Sequence, residues 1–308
     1  MLSENKEREL KKLAKKIRIN IVETIHSIGV GHIGGSLSIA DVLAVLYGKY
    51  MRVDPSNPQK PGRDRLVCSK GHAGPAMYAV LAEMGYFPKE ELQTLNRFDT
   101  KLPSHCDMNK TPGIDMTAGS LGQGLSCAVG MALASTLARD GATIYAIIGD
   151  GESQEGQIWE AAMFAGNQPL SNLIVFTDYN KLQLDGYTKD INDLDPLTSK
   201  WKAFNWNVIE LEDGNDIKAI DEAIESAKKL QDKRDEALKK ADAAKEAGAE
   251  PKFNPANFKP TMIILNTVKG KGVKEVEGAG TGNHSMTITQ ELYDSAMAQL
   301  GAEVKNGW

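Results

Sequence analysis

Between residues 4 and 28 apolar side chains recur at helical spacing, with Leu10, Leu13, Ile17, Ile21 and Ile25 on one face among charged neighbours. This predicts an amphipathic helix. The pattern breaks at the glycine-rich stretch Gly29–Gly35 and resumes over 39–50, with Ser38 placed as the N-cap of that helix. Leu66–Ser69 reads as a short strand feeding a helix that starts near Gly71-His72. A small-residue helix over 125–138, a strand over 142–148, a helix over 156–166 and a strand over 173–177 follow. Further strands fall at 206–211 and 261–267. Short apolar runs alternating with helices predict an α/β fold: a doubly wound, mostly parallel sheet with helices on both faces.

Two segments depart from this alternation. Residues 100–118, with Pro103 and Pro112, form a long irregular loop, and long loops in compact domains usually serve function. Residues 216–258 begin as an amphipathic helix with the stripe Ile217, Ile220, Ile224, Ala227 and Leu230. Beyond Leu230 the composition turns to Lys, Glu, Asp and Ala, which predicts a solvated helical extension and then an exposed return through Pro251–Pro260.

The bulk properties narrow the function. A net charge of −5 gives no electrostatic case for nucleic acid or an anionic membrane. The first residues lack the apolar core of a signal peptide, and no apolar run approaches the roughly 20 residues that span a bilayer. Cys68, Cys106 and Cys127 match no zinc spacing and read as reduced thiols of a cytoplasmic protein.

The chemistry gathers after two strands. Gly149-Asp150-Gly151 follows the strand at 142–148, and Asp178-Tyr179-Asn180-Lys181-Leu182 follows the one at 173–177. A carboxylate and a carboxamide thereby reach one edge of a parallel sheet, where open α/β folds bind ligands. Asp, Asn and a loop carbonyl are hard oxygen ligands that suit Mg2+ holding a diphosphate. Gly151, lacking a Cβ, lets its N–H approach phosphate closely. Four of the five histidines, His32, His72, His105 and His284, sit in glycine-rich or irregular settings. Imidazoles there can bond phosphate and sugar hydroxyls and move protons near neutral pH. His26 lies inside the first helix and is assigned to packing or surface. Glu152 is read as a first-turn charge favoured by the helix dipole.

Gly149-Asp150-Gly151-Glu152-Ser153-Gln154-Glu155-Gly156 with Asp178-Tyr179-Asn180-Lys181-Leu182-Gln183-Leu184-Asp185-Gly186 resembles the thiamine-diphosphate motif of transketolases. Gly31-His32-Ile33-Gly34-Gly35-Ser36-Leu37-Ser38, Ser69-Lys70-Gly71-His72-Ala73 and Gly119-Ser120-Leu121-Gly122-Gln123-Gly124 resemble further signatures of that family, in the family's order. The resemblance runs over 15–290 and implies a single diphosphate-binding domain over 1–308, with 216–258 inside it. It implies thiamine diphosphate and Mg2+ (or Ca2+ or Mn2+ in substitution) as cofactors. Asp150, Asn180 and the Leu182 carbonyl would bind the metal. His72, His284 and the Gly151 amide would meet the diphosphate, while Gly119 and Leu121 would position the aminopyrimidine. Glu155 would link two active sites by facing a partner subunit. His32, His105 and His284 would bond the donor sugar and handle its protons, with the loop Thr100–Ala118 carrying His105 into place.

Full-length transketolases are about twice this size, and their second domain supplies the glutamate that activates the aminopyrimidine. The resemblance is therefore to the N-terminal subunit of a split transketolase, and Ile33 stands where full-length members commonly have proline. It implies transfer of a two-carbon ketol unit from a ketose phosphate to an aldose phosphate. A separate C-terminal subunit would carry the pyrimidine-binding domain, in a heterotetramer of two copies of each. The alternatives are another split thiamine enzyme, of dehydrogenase E1 or deoxyxylulose-phosphate synthase type, a non-catalytic regulatory subunit, and a metal-dependent phosphohydrolase.

Overall fold

The computed structural model describes residues 2–301. Helix α1 (Glu4–His26) starts at Ser3, whose hydroxyl accepts from the Lys6 N–H, and buries Leu10, Ile17, Ile21 and Ile25. The chain then forms β1 (Val30–Gly31), a helical turn at Gly34–Leu37 and α2 (Ala40–Val45). Next come β2 (Arg65–Cys68), α3 (Gly74–Glu83), the long loop, α4 (Gln123–Ala138) and β3 (Ile144–Gly149). Helix α5 (Gly156–Gly166), β4 (Leu173–Asp178), β5 (Asn207–Leu211) and α6 (Ile217–Glu246) follow. The described chain closes with β6 (Thr261–Leu265), β7 (Met286–Thr287) and α7 (Gln290–Gln299).

Five strands form a parallel sheet in the order β2-β3-β4-β6-β5. Its strands are continuous apolar runs because both faces are covered. Tyr145, Ile147, Ile174, Phe176, Ile263 and Leu265 face a core shared with α1, α2, α3 and α6. Ile144, Ala146, Ile148, Leu173, Val175, Met262 and Ile264 face the other core, shared with α4 and α5. Each such side chain withdrawn from water contributes roughly 1.5–3 kcal/mol, so period-two burial fixes the strand register. In that register Gly149 lies opposite Asp178, and Asp178 opposite Leu265. The chains leaving β2, β3, β4 and β6 therefore emerge at one carboxyl edge.

Two expectations need correction. Ser38 does not cap a helix over 39–50: α2 begins after Ile39 without a side-chain cap, and Leu46–Tyr50 forms a π turn. The Ser38 hydroxyl donates instead to Asp178, at 2.7 Å, and Ser38 itself ends the turn at Gly34–Leu37 in helical backbone, not in the extended conformation an N-cap takes. The helix expected to become solvated beyond Leu230 is docked at Gln231, Arg234 and Ala241, and most of its other positions from there to Glu246 are exposed or half-buried as expected. Gln231 and Arg234 are buried. Gln231 accepts from the Thr143 hydroxyl at 2.8 Å, and Arg234 reaches Thr136 Oγ1, the Pro169 carbonyl and Asn172 Oδ1. A polar face docks when every donor finds an acceptor.

His26 packs as expected, stacked on Tyr293 at 4.2 Å. The three cysteines are unpaired, and burial pushes the Cys68 thiol up to about 12. Among the described residues no helix is long and apolar enough to cross a membrane.

Candidate active site

A cleft of about 350 Å3 opens at the carboxyl edge of the sheet, within the roughly 300–1,000 Å3 of small-molecule and cofactor sites. Its wall contains every residue singled out in the sequence: His32, His72, His105, Gly119, Leu121, Asp150, Gly151, Glu155, Asn180, Leu182 and His284.

Asp150 directly follows β3 and is almost fully buried. Its Oδ1 accepts from the Gly151 N–H at 2.7 Å and its Oδ2 from the Lys181 N–H. Burial, and then the neighbouring Asp178 carboxylate, push its pKa up to about 7. Asn180 presents Oδ1 to the Leu182 N–H at 3.1 Å and donates its Nδ2 to Asp178 at 2.8 Å.

Asp178 is the hub beneath them. It has no exposed surface and accepts from Lys70 Nζ at 2.6 Å, from Ser38, from Asn180 and from the Thr267 hydroxyl. Burial alone would raise its pKa, but the Lys70 ammonium, with the Thr267 and Ser38 hydroxyl donors, holds the carboxyl below the usual range. Lys70 also donates to the Gly35 carbonyl at 2.6 Å, tying the turn after β1 to the site.

The imidazoles arrive from four segments. Antiparallel pairing of β1 with β7 sets Gly31 opposite Met286 and so brings His32 and His284 together. Their ring centroids are 5.3 Å apart; His32 lies 5.6 Å from His72 and 5.7 Å from His105, and His72 lies 4.8 Å from His284. Burial, reinforced by nearby cations, lowers the pKa of His32 and His72, and that of His284 to about 4. Burial thus biases all three toward the neutral form. His105 is exposed at the mouth of the cleft.

Sequence reasoning missed three groups. Lys269, just past β6 and 4% exposed, donates to the Leu182 carbonyl at 3.2 Å and lies 3.4 Å from His284 Nδ1. Burial lowers its pKa to about 8, with Lys70 acting in the same direction. A lysine a few residues past a strand's carboxyl end, in Val268-Lys269-Gly270, was the available signal. The Lys70–Asp178 pair was hidden because its members lie far apart in the chain. Glu152, expected as a first-turn charge, does open the short turn Glu152–Gln154 but is buried there. Its pocket holds three donors, Ser69 Oγ, the Gly122 N–H and the Gly149 N–H, which accounts for the difference.

Among the described residues no three His, Cys, Asp or Glu side chains converge as a metal site. The Asp150 carboxylate, the Asn180 amide oxygen and the Leu182 carbonyl would offer hard oxygens to a cation at this edge. That hard oxygen set matches Mg2+ chemistry. Lys269 and the neutral imidazoles beside it offer donors to an anion. The residues present fit a metal diphosphate.

Comparison with known proteins points the same way. The family profile described as "Transketolase, thiamine diphosphate binding domain" matches residues 9–240. The chain is 53% identical to the 6-deoxy-6-sulfo-D-fructose transketolase subunit SqwG of Clostridium sp. (strain MSTE9), covering 96% of this chain and 97% of that one. It is 39% identical to an apulose-4-phosphate transketolase subunit of Actinobacillus succinogenes, over 96% and 97% of the two chains. A solved Pichia stipitis transketolase, in complex with sedoheptulose 7-phosphate, superposes with a TM-score of 0.82 at 29% identity. That match covers 96% of this chain and 41% of that structure, so the chain spans under half of the single-chain enzyme. With the fold, the motif order and these similarities in agreement, the chain belongs to the transketolase family and corresponds to its N-terminal thiamine diphosphate binding domain.

Proposed function

We propose that this chain is the diphosphate-binding subunit of a split transketolase and works with a separate subunit that carries the pyrimidine-binding domain. The observation that carries the reading is the convergence of four histidines on the edge where Asp150, Asn180 and Leu182 present hard oxygens. Asp150, Asn180 and the Leu182 carbonyl hold Mg2+ (Ca2+ or Mn2+ can substitute). His72, His284 and the Gly151 amide take the diphosphate of thiamine diphosphate, and Lys269 adds a buried positive charge. Gly119 and Leu121 form the wall for the aminopyrimidine. Once bound, the cofactor supplies the electron sink that lets a carbon–carbon bond beside a ketone break.

The remaining chemistry belongs to the side chains. His32 and His284, kept neutral, can accept a proton from a sugar hydroxyl and return it, and His105 reaches the substrate from the mouth. Burial of the inner imidazoles keeps them out of the charged state, so they do not repel the cationic groups around them. Glu155, exposed on the rim, faces the partner subunit, and two copies of each subunit make the assembly.

Ketol transfer is the reaction, from a ketose donor bearing an anionic end to an aldose phosphate. The 53% relative is named for 6-deoxy-6-sulfo-D-fructose, which makes a sulfonated ketose the first donor to test beside a ketose phosphate. The test is isothermal titration of the chain with thiamine diphosphate, with and without Mg2+. Saturable binding that needs Mg2+ supports the reading, and no binding to the chain or to its complex overturns it.

A further inference from the structure

Glu152 is a buried carboxylate that no step above uses. Its Oε1 accepts from the Ser69 hydroxyl and from the Gly122 N–H at 2.9 Å, and its Oε2 accepts from the Gly149 N–H at 2.9 Å. Those donors come from three segments far apart in the chain. Ser69 leads into His72, Gly122 directly follows Leu121, and Gly149 directly precedes Asp150. The segments meet closely: a Cβ on Gly71 would stand 2.2 Å from the Ala118 carbonyl oxygen. Gly122 itself sits at φ +87°, a left-handed conformation that opens α4 and turns its N–H toward the carboxylate. All three donors point at one acceptor, and none of these bonds asks Glu152 to donate.

We infer that Glu152 is a positioning residue for the cofactor: one carboxylate that sets the aminopyrimidine wall (Gly119, Leu121) at a fixed distance from the diphosphate edge (His72, Asp150, Gly151). The inference rests on the cofactor reading above. An all-acceptor group is required, since three N–H or O–H donors converge on two oxygens. Gln at this place keeps the size but turns an NH2 toward at least one of those donors, which leaves a buried group unpaired. The wall and the edge then shift relative to each other, and a ligand that must touch both loses contacts with each.

The experiment titrates the full-length chain with thiamine diphosphate in excess Mg2+, for the wild type, Glu152→Gln, Ser69→Ala and Gln231→Met. Denaturant midpoints are measured in parallel. Gln231 is the control for stability alone, because it is buried at the opposite end of the sheet beside Thr143. The expected result is a Kd raised at least about tenfold in Glu152→Gln and about threefold in Ser69→Ala, which keeps both backbone donors, with Gln231→Met destabilised but unchanged in Kd. In the complex, Glu152→Gln should raise the cofactor concentration for half-maximal rate while kcat recovers at saturation. If Glu152→Gln binds as the wild type does, or if Gln231→Met loses affinity equally, the positioning role is overturned. If Glu152→Gln does not fold, Ser69→Ala with unchanged Kd also overturns it. Absence of binding by the wild type itself overturns the cofactor reading, and this inference with it.

Discussion

Replacing Lys70 with methionine tests how the site's hub is held. Lys70 and Asp178 are 2% and 0% exposed at the side chain, with Nζ 2.6 Å from Oδ2. Methionine fills much of the same volume but leaves the carboxylate buried without its cation. Removing one partner of a buried pair costs about 3–5 kcal/mol. Three donors remain on Asp178, from Ser38, Asn180 and Thr267, so the low end of that range, near 3 kcal/mol, is expected. The Gly35 carbonyl also loses a 2.6 Å partner. Denaturant unfolding followed by circular dichroism gives the loss directly, provided the slope is unchanged. The companion Lys70→Met/Asp178→Asn variant removes the stranded charge and should recover at least half of it. A single variant within about 1 kcal/mol of the wild type, or a double variant no better than the single, would refute the reasoning.

Further outcomes follow from the same geometry. Asp150→Ala should abolish Mg2+-dependent cofactor binding, a change of at least about a hundredfold, and unchanged affinity in calorimetry would remove Asp150 from the metal set. Because Asp150 is pushed up to about 7, Mg2+ binding displaces a proton, and metal affinity should rise between pH 6 and pH 8; a flat profile contradicts this. His284 titrates near 4 in the fold against about 6.5 when unfolded, so the unfolded chain takes up its proton first as pH falls. Its stabilising contribution is present above about 6.5 and is lost through that window down to about 4. The stability of wild type relative to His284→Asn should therefore decline between pH 7.5 and pH 5, and a constant gap counts against a neutral imidazole. Arg234→Met should destabilise the fold by about 2 kcal/mol through the lost bonds to Asn172 and the Pro169 carbonyl, measured by thermal unfolding, without altering cofactor affinity.

Much of the architecture was legible because it rests on local pattern. Buried parallel strands must be apolar on both faces, so Ile144–Ile148 and Leu173–Thr177 stand out, and the residues after them fall at the sheet's carboxyl edge. Asp150 and Asn180 could be picked out on that ground and the four histidines by their glycine-rich or irregular settings, and the structure gathers all of them round one cleft. What failed depended on partners distant in sequence. Ser38 has the composition of a cap, but Asp178, 140 residues away, claims its hydroxyl. Glu152 looks like any acidic residue opening a helix until Ser69 and Gly122 are folded onto it. Arg234 lies in a run of charges, and the neighbouring Asp235 carboxylate makes its burial favourable together with acceptors on Thr136, Pro169 and Asn172, the last three far away in the chain. Polar burial is decided by convergence, which no window of sequence contains.

The central claim is a ketol-transferring enzyme divided between two chains. It is tested most directly by assaying transfer with Mg2+ and thiamine diphosphate, on the tagged chain alone and on the complex it captures from its own cell extract. The donors are xylulose 5-phosphate and 6-deoxy-6-sulfofructose, and the acceptor is an aldose phosphate such as ribose 5-phosphate. The predicted result is transfer by the complex with at least one donor and none by the isolated chain. Turnover by the isolated chain, or a cofactor-loaded complex that transfers from neither donor, would contradict it.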